Sequence, residues 1–494
     1  MRRVPSLSLV KPLPFVLGLV AFAALALIDS PLRHFGEHGG LPALAAGVTA
    51  WMAIWWIGEA VPLWWTALIP LAVYPLTRVH GEGFGANAWG AAKPYVDPYI
   101  FLFLGGMGIA VAMQQWNLHR RIALAVLRAV GTQPARLVFG MLAATAMVSL
   151  WISNTATAAM MLPIGLAVLK ELERHAGQRL AGLGCALMLS IAYGANVGGM
   201  GTKIGTVPNA QLAGFLAQER GIDLSFLEFM GIGMPFVLVF VPITWLALWR
   251  VGRADAPTGA FGRAALEAES ARLGPLQRPE RAVAIVFATA AALWIFGQPL
   301  TEWLRPQITA FALKTAHVEA AIALSASLSL MLWRIGGAPV LALRSFKLLQ
   351  WDALVLLGGG FSMAAAVEAS GLSDWLGAQL AALRGFPGFA QVALASLATV
   401  TLSAFASNVA TTAVMLPILL SSVSPENADV ALVSAALASS CDFALPAGTP
   451  PNAIVFGSGY VKVPVMARTG ALLDVVAALI LSAWCWWVVP RVLG

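Results

Sequence analysis

Long apolar stretches, separated by short polar breaks, run almost the whole length of the chain. Residues 14–29, 233–249, 282–297, 317–333 and 467–490 are each long enough, or nearly so, to cross ~30 Å of hydrocarbon as a helix. Other apolar stretches are interrupted by Gly, Pro, Ser and Asn. Two of these, 138–169 and 389–421, break at their middle on Ser-Asn, which predicts half-length helices meeting at a turn, that is, re-entrant hairpins. Backbone broken at membrane depth is tolerated only where protein or a water-lined cavity satisfies its polar groups, so such turns point to a binding site. The opening Met1-Arg2-Arg3 and the apolar run behind it read as a first span, because no small-residue cleavage site follows and Asp29-Ser30-Pro31 ends the run.

The pattern occurs twice. SNTATAAMMLPI at 153–164 returns as SNVATTAVMLPI at 407–418, identical at 9 of 12 positions. GTVPNA at 205–210 returns as GTPPNA at 448–453, and LGGM at 104–107 answers LGGG at 357–360. The order is the same in both halves, which predicts a duplicated unit. The expected organisation is an N-terminal segment 1–42 with span 1, a first repeat 43–252, a cytoplasmic linker 253–280 and a second repeat 281–494. Each repeat would hold five spans, an odd number, so the two would be inverted across the membrane. The expected fold is therefore an all-α membrane protein of about 11 transmembrane helices in two inverted repeats, each with a re-entrant hairpin and an unwound span.

Charge orients this arrangement. With a cytoplasmic N-terminus, 21 Lys and Arg fall inside, eight fall outside, and Lys203 remains within the membrane. Amphipathic stretches at His119-Arg120-Arg121 and Ser373-Asp374-Trp375 are expected on opposite surfaces. With 59% hydrophobic and 11% charged residues, the chain has lipid as its solvent, and the net charge of +7 reflects topology, since no aromatic-interleaved basic patch suggests nucleic acid. Cys185, Cys441 and Cys485 lie in apolar surroundings and form no paired framework. No HExxH, Walker loop or CxxC is present, and none of the six histidines lies in the duplicated motifs, which argues against an enzyme.

Taken together, Glu59-Ala60-Val61-Pro62, LFLGG at 102–106 leading into WNLHRRIAL, the two Ser-Asn motifs and GTPPNAIVFGSG at 448–459 resemble the divalent anion:sodium symporter family over nearly the whole chain. The resemblance implies a homodimer in a bacterial inner membrane, an elevator-like movement, a small dianionic substrate and sodium ions. Carried over residue by residue, it implies one sodium site at Ser149, Ser153, Asn154 and the backbone of Gly205. A second is implied at Ser403, Ala406, Asn408 and the backbone of Gly448, and substrate contacts at Asn154, Thr155, Thr206, Asn408 and Thr449. On physical grounds alone, a dianion in the bilayer needs compensating charge, and helix N-termini at the breaks together with bound sodium would supply it. Sodium-coupled C4-dicarboxylate symport is the leading expectation.

Three positions depart from the family pattern. Val409 stands where a hydroxyl is usual, and Val207 where a proline is usual. Lys203 is an intramembrane lysine beside Gly205, either a coupling residue that replaces a sodium, which would make the protein a sodium-independent dicarboxylate exchanger, or a structural group paired with a carboxylate such as Asp442. Sulfate and citrate remain open as substrates. Glu59 and Glu368 are weaker candidates for proton carriers.

Overall fold

The computed structural model describes residues 10–36, 38–259 and 263–493; Arg2 and Arg3, used above in the charge count, lie outside the described residues. The helices that matter for the site are α1 (Pro12–Leu27), α2 (Leu41–Gly58), α3 (Pro98–Gln115), α4 (Leu118–Val130), α5 (Pro134–Ser149), α6 (Asn154–Ala176), α7 (Ala181–Gly199), α8 (Val207–Glu219) and α9 (Phe226–Gly252). They continue with α10 (Arg263–Leu273), α11 (Arg278–Ile295), α12 (Thr315–Leu332), α13 (Trp351–Ala369), α14 (Leu372–Gln379) and α15 (Gly388–Ser403). Last come α16 (Asn408–Ser422), α17 (Ala428–Ala438), α18 (Pro450–Phe456) and α19 (Val463–Val492). Among the described residues the only strand pairing is a short ladder between Arg334–Ile335 and Ala338–Pro339. The protein is an all-α membrane protein.

Eight helices among the described residues are long and apolar enough to cross a membrane, and α11 with Gly297–Leu304, bent by 69°, makes a ninth. The strong apolar stretches of the sequence fall in α1, α9, α11, α12 and α19. Large apolar side chains cover the outside, including Leu13, Val16, Leu17 and Val20 on α1 and Leu238, Val239 and Leu246 on α9. This surface suits hydrocarbon and not water.

The series from α3 to α9 and the series from α13 to α19 run through the same elements in the same order. In each, a long helix ends at a left-handed residue, Asn117 with φ 57° or Gly371 with φ 77°, which starts a short helix, α4 or α14. Next comes a pair of helices broken on Ser-Asn, α5/α6 or α15/α16. A helix interrupted before its Gly-Thr-x-Pro-Asn motif follows, α7/α8 or α17/α18, and a long helix closes the series. α9 starts on a capping box in which Ser225 Oγ accepts from Glu228 N at 3.2 Å and the Glu228 carboxylate accepts from Ser225 N at 2.7 Å. Between the two series, α10 docks on the first: Arg120 meets Glu269 at 2.9 Å, and Arg121 meets Glu280, at the start of α11, at 2.5 Å.

The interrupted helices form the core. Nearly every residue of α7 is buried, and so is most of α17. α7 achieves this with small residues: Gly194 lies on the Leu142 carbonyl and Gly198 on the Ala146 backbone, so α5 and α7 approach at backbone contact. Such small-xxx-small crossings replace the hydrophobic effect as the source of helix association in lipid. α3 meets α12 in the same way, with Ser327 Oγ donating to the Gly105 carbonyl at 2.7 Å.

This packing predicts that Gly198→Val, whose Cβ would run into the Ala146 backbone, destabilises the folded protein by ~1–3 kcal/mol through overpacking. Gly221→Ala, in a turn with φ 67° and open space around it, should cost less. Thermal unfolding of the two purified variants in detergent, against the unsubstituted protein, checks the order.

Candidate functional site

Each Ser-Asn turn is built by the same local bond. α5 ends at Ser149 and α6 starts at Asn154, and Ser149 Oγ donates to Asn154 Oδ1 at 2.8 Å. α15 ends at Ser403 and α16 starts at Asn408, and Ser403 Oγ donates to Asn408 Oδ1 at 3.0 Å, with the Ser439 carbonyl 2.6 Å away as a second acceptor. The N-cap serines, Ser153 and Ser407, make no capping bond to their own helices. Ser153 Oγ instead accepts from Gln350 Nε2 at 3.2 Å.

The two interrupted helices are also held alike. Asn209 Nδ2 donates to the carbonyls of Gly199 at 2.8 Å and Thr202 at 2.7 Å, tying α8 back to the end of α7. Asn452 Nδ2 donates to Asp442 and Leu445, both at 2.9 Å, tying α18 to the break after α17. Each of these side chains thus satisfies two carbonyls released by the interruption, which cannot turn to water. The halves are joined here: Asn196 on α7 reaches the Asp442 carbonyl and Thr449 Oγ1, both at 3.3 Å, and Tyr193 Oη donates to the Phe443 carbonyl at 2.8 Å.

A cavity of about 800 Å³ lies where the four breaks meet. Ser153, Asn154, Thr155, Gly205, Thr206, Ala406, Asn408, Gly448 and Thr449, all candidates from the sequence, line it. Ser149 and Ser403 stand one layer behind, each holding the asparagine in front of it. The first turns of α6, α8, α16 and the short α18 all contribute lining; the starts of α6 and α16 bring free helix N–H groups to the space, whereas α18 opens on Pro450-Pro451 and its next N–H, of Asn452, donates to Thr449 Oγ1 at 3.3 Å. Among the lining residues there is no Lys, Arg or His, and the two charged ones are acids, Glu59 and Asp352. Lys11 meets Glu59 at 2.8 Å, with both side chains exposed.

Sequence reasoning missed Asn196, Gln350, Asp352 and Phe405, which line the cavity outside the duplicated motifs. It also missed the tying role of Asn209 and Asn452, although their recurrence in GTVPNA and GTPPNA was the available signal. Glu368 sits at the end of α13 and is not among the lining residues.

Lys203 requires a correction. It does not line the cavity, and its partner is not Asp442: its ammonium lies 2.7 Å from Glu319 Oε2 on α12, with both side chains fully buried. The Tyr99 ring lies 5.2 Å from Nζ, and Glu319 Oε1 accepts from Phe226 N at 2.5 Å. The pair therefore has a backbone donor on one side and an aromatic face on the other, the kind of support a buried ion pair requires. A single acid within the span 317–333 was the sequence signal for this partner.

Residues 37–493 match the family described as the sodium:sulfate symporter transmembrane region. The chain is 34% identical to the sodium-dependent dicarboxylate transporter SdcS of Staphylococcus saprophyticus, covering 98% of this chain and 91% of that protein. It is also 34% identical to the SdcS protein of Staphylococcus aureus strain USA300, over 97% of this chain and 92% of that one. Among solved structures, the Alcanivorax borkumensis YdaH transporter overlaps at a TM-score of 0.49 and 16% identity, covering 96% of each chain. The chain belongs to the sodium:sulfate symporter family.

The Lys203–Glu319 pair generates a prediction about stability. Lys203→Met or Glu319→Met alone strands a buried group and should destabilise by ~3–5 kcal/mol, whereas the two combined should recover most of that loss. A double-mutant cycle on thermal unfolding in detergent measures it.

Proposed function

We propose that the protein is a secondary active transporter that carries a small dianion, a C4-dicarboxylate, across the membrane together with sodium. The observation that carries this reading is the cavity itself, ringed by four helix starts and paired Ser-Asn side chains and lined by no basic residue. A dianion placed there meets N–H groups and hydroxyls, yet these partial charges do not neutralise two full negative charges in a low dielectric. Cations must enter with it. Amide and hydroxyl oxygens at Ser149, Ser153 and Asn154 with the Gly205 backbone, and at Ser403, Ala406 and Asn408 with the Gly448 backbone, form two oxygen-donor groups of the kind sodium takes. Asn154, Thr155, Thr206, Asn408 and Thr449 are then the substrate contacts. Each asparagine belongs to both sets, so cation and anion reinforce one another through a shared side chain, which is the physical content of coupling. The names of the Staphylococcus relatives support both the cation and the substrate class.

In this reading 43–252 and 281–494 are inverted repeats, 253–280 is their cytoplasmic linker, and the Ser-Asn turns are the tips of re-entrant hairpins entering from opposite faces. The N-terminus is cytoplasmic, the protein is a homodimer in lipid, and the cavity is carried across by an elevator-like movement. Of the two motives for the exchanger alternative, Lys203 and Val409, the first is weakened, since the Lys203 charge is matched by Glu319 and Lys203 is not among the cavity's lining residues, while Val409 does line it.

Uptake of labelled succinate into proteoliposomes under an inward sodium gradient tests the proposal, with uptake expected to collapse when choline replaces sodium. Sodium-independent counterflow would reject it in favour of exchange. Asn154→Ala and Asn408→Ala each remove an oxygen and a donor from the shared position and should each lower uptake about 10-fold or more, from ~1.5–3 kcal/mol per charge-assisted bond.

A further inference from the structure

Asp442 is an acid for which the site as described has no use. It lies in the break between α17 and α18, fully buried, and neither of its carboxylate oxygens has a hydrogen-bond partner among the described residues. Its backbone is well held, since its carbonyl takes both Asn196 and Asn452, so the side chain is placed by design of the loop and not by slack. The carboxylate lies directly on Gly448, where a Cβ would overlap both oxygens. Ser440 Oγ and the Oδ1 atoms of Asn196 and Asn452, in the same break or tied to it, are also buried without a hydrogen-bond partner among the described residues. Behind the loop stands a second acid, Asp474 on α19, whose Oδ1 accepts from Phe443 N at 2.9 Å. The basic group in the corresponding break, Lys203, is taken by Glu319. The two breaks are therefore chemically unequal: six residues before the motif glycine, the second has Asp442 and the first has Gly199.

A buried carboxylate with no donor and no counter-ion is among the costliest arrangements a fold can hold, and a hard cation among oxygen donors removes that cost. We infer that the Asp442 carboxylate is a ligand for a sodium-sized cation at the second break, held against the Gly448 segment and bound in the absence of any anionic substrate. This rests on the transporter reading above and adds to it an order of events. A site built only of neutral oxygens leaves the charge of its cation uncompensated until the dianion arrives. A site with its own carboxylate is neutralised by the cation alone, so the second break loads first and the first break loads with the substrate.

The test uses purified, substrate-free full-length protein in detergent, titrated with sodium chloride against choline chloride at constant ionic strength, with thermal unfolding as the readout. The unsubstituted protein should gain stability saturably with sodium. Asp442→Asn, of the same shape, and Asp442→Ala should each shift the sodium midpoint upward at least 10-fold, while Glu267→Gln, in an exposed pair on α10 outside the cavity lining, should leave it within about 2-fold. A second measurement needs no variant: labelling of Asp442 by dicyclohexylcarbodiimide, read by mass spectrometry, should be suppressed by sodium and not by choline. An unchanged sodium midpoint in a folded Asp442 variant, or labelling indifferent to sodium, overturns the inference, and so does a response to pH alone with none to sodium. Sodium-driven succinate uptake that persists alongside those results leaves the transport reading standing; loss of sodium dependence in uptake and in stability together removes both.

Discussion

A helix interrupted inside a bilayer leaves carbonyls and N–H groups that no water can reach, and the structure is organised around satisfying them. The carbonyls are dealt with by protein: Asn209 and Asn452 each take two of them, and Asn196 reaches from the first half to the second break. The N–H groups at the starts of α6 and α16 are left facing the cavity, where a ligand takes the place of water. Division of labour between the two ends of each break explains why the loops are tied by side-chain hydrogen bonds and the cavity is receptive. It also explains why glycine lines the crossings, since α5, α7 and the breaks must approach at backbone distance to bring four helix starts to one place.

The buried charges follow from the same constraint. Lys203 and Glu319 lie 116 residues apart in the chain and are fully enclosed, with Phe226 N and the Tyr99 ring completing their surroundings. Through this pair the break after α7 is tied to α12 and to the start of α9, elements that contribute nothing to the cavity lining. Asp442 is the counter-case, an acid in the second break with no such partner among the described residues. Two equivalent loops thus each bury a charged residue, Lys203 matched by Glu319 in one and Asp442 left without a partner among the described residues in the other.

Much of this was legible in the sequence because the informative features were local and repeated. SNTATAAMMLPI and SNVATTAVMLPI locate both turns, and the structure breaks its helices at 150–153 and 404–407, within the two stretches expected to fold back. Nine of the candidate residues line one cavity: eight belong to two motifs that each occur twice, and the ninth, Ala406, immediately precedes the second Ser-Asn motif. What was not legible was long-range. The partner of Lys203 could not be chosen from sequence, since Glu319 and Asp442 are both lone acids in apolar surroundings and only the path of α12 decides between them. Gln350 and Asp352 open α13 and reach the cavity only through the packing of that helix, which no local spacing encodes.

The acidic lining of the cavity has an electrical consequence. With no lysine, arginine or histidine in its wall, the cavity contributes no positive charge that could offset a dianion during movement through the membrane field. The net charge of the cargo then sets the voltage dependence. Two sodium ions per dianion would cross without electrical work, and a third would add about 2.3 kcal/mol of driving force for every 100 mV of inside-negative potential. A carrier whose cavity wall holds no basic residue delegates its sensitivity to membrane potential to the number of ions it loads.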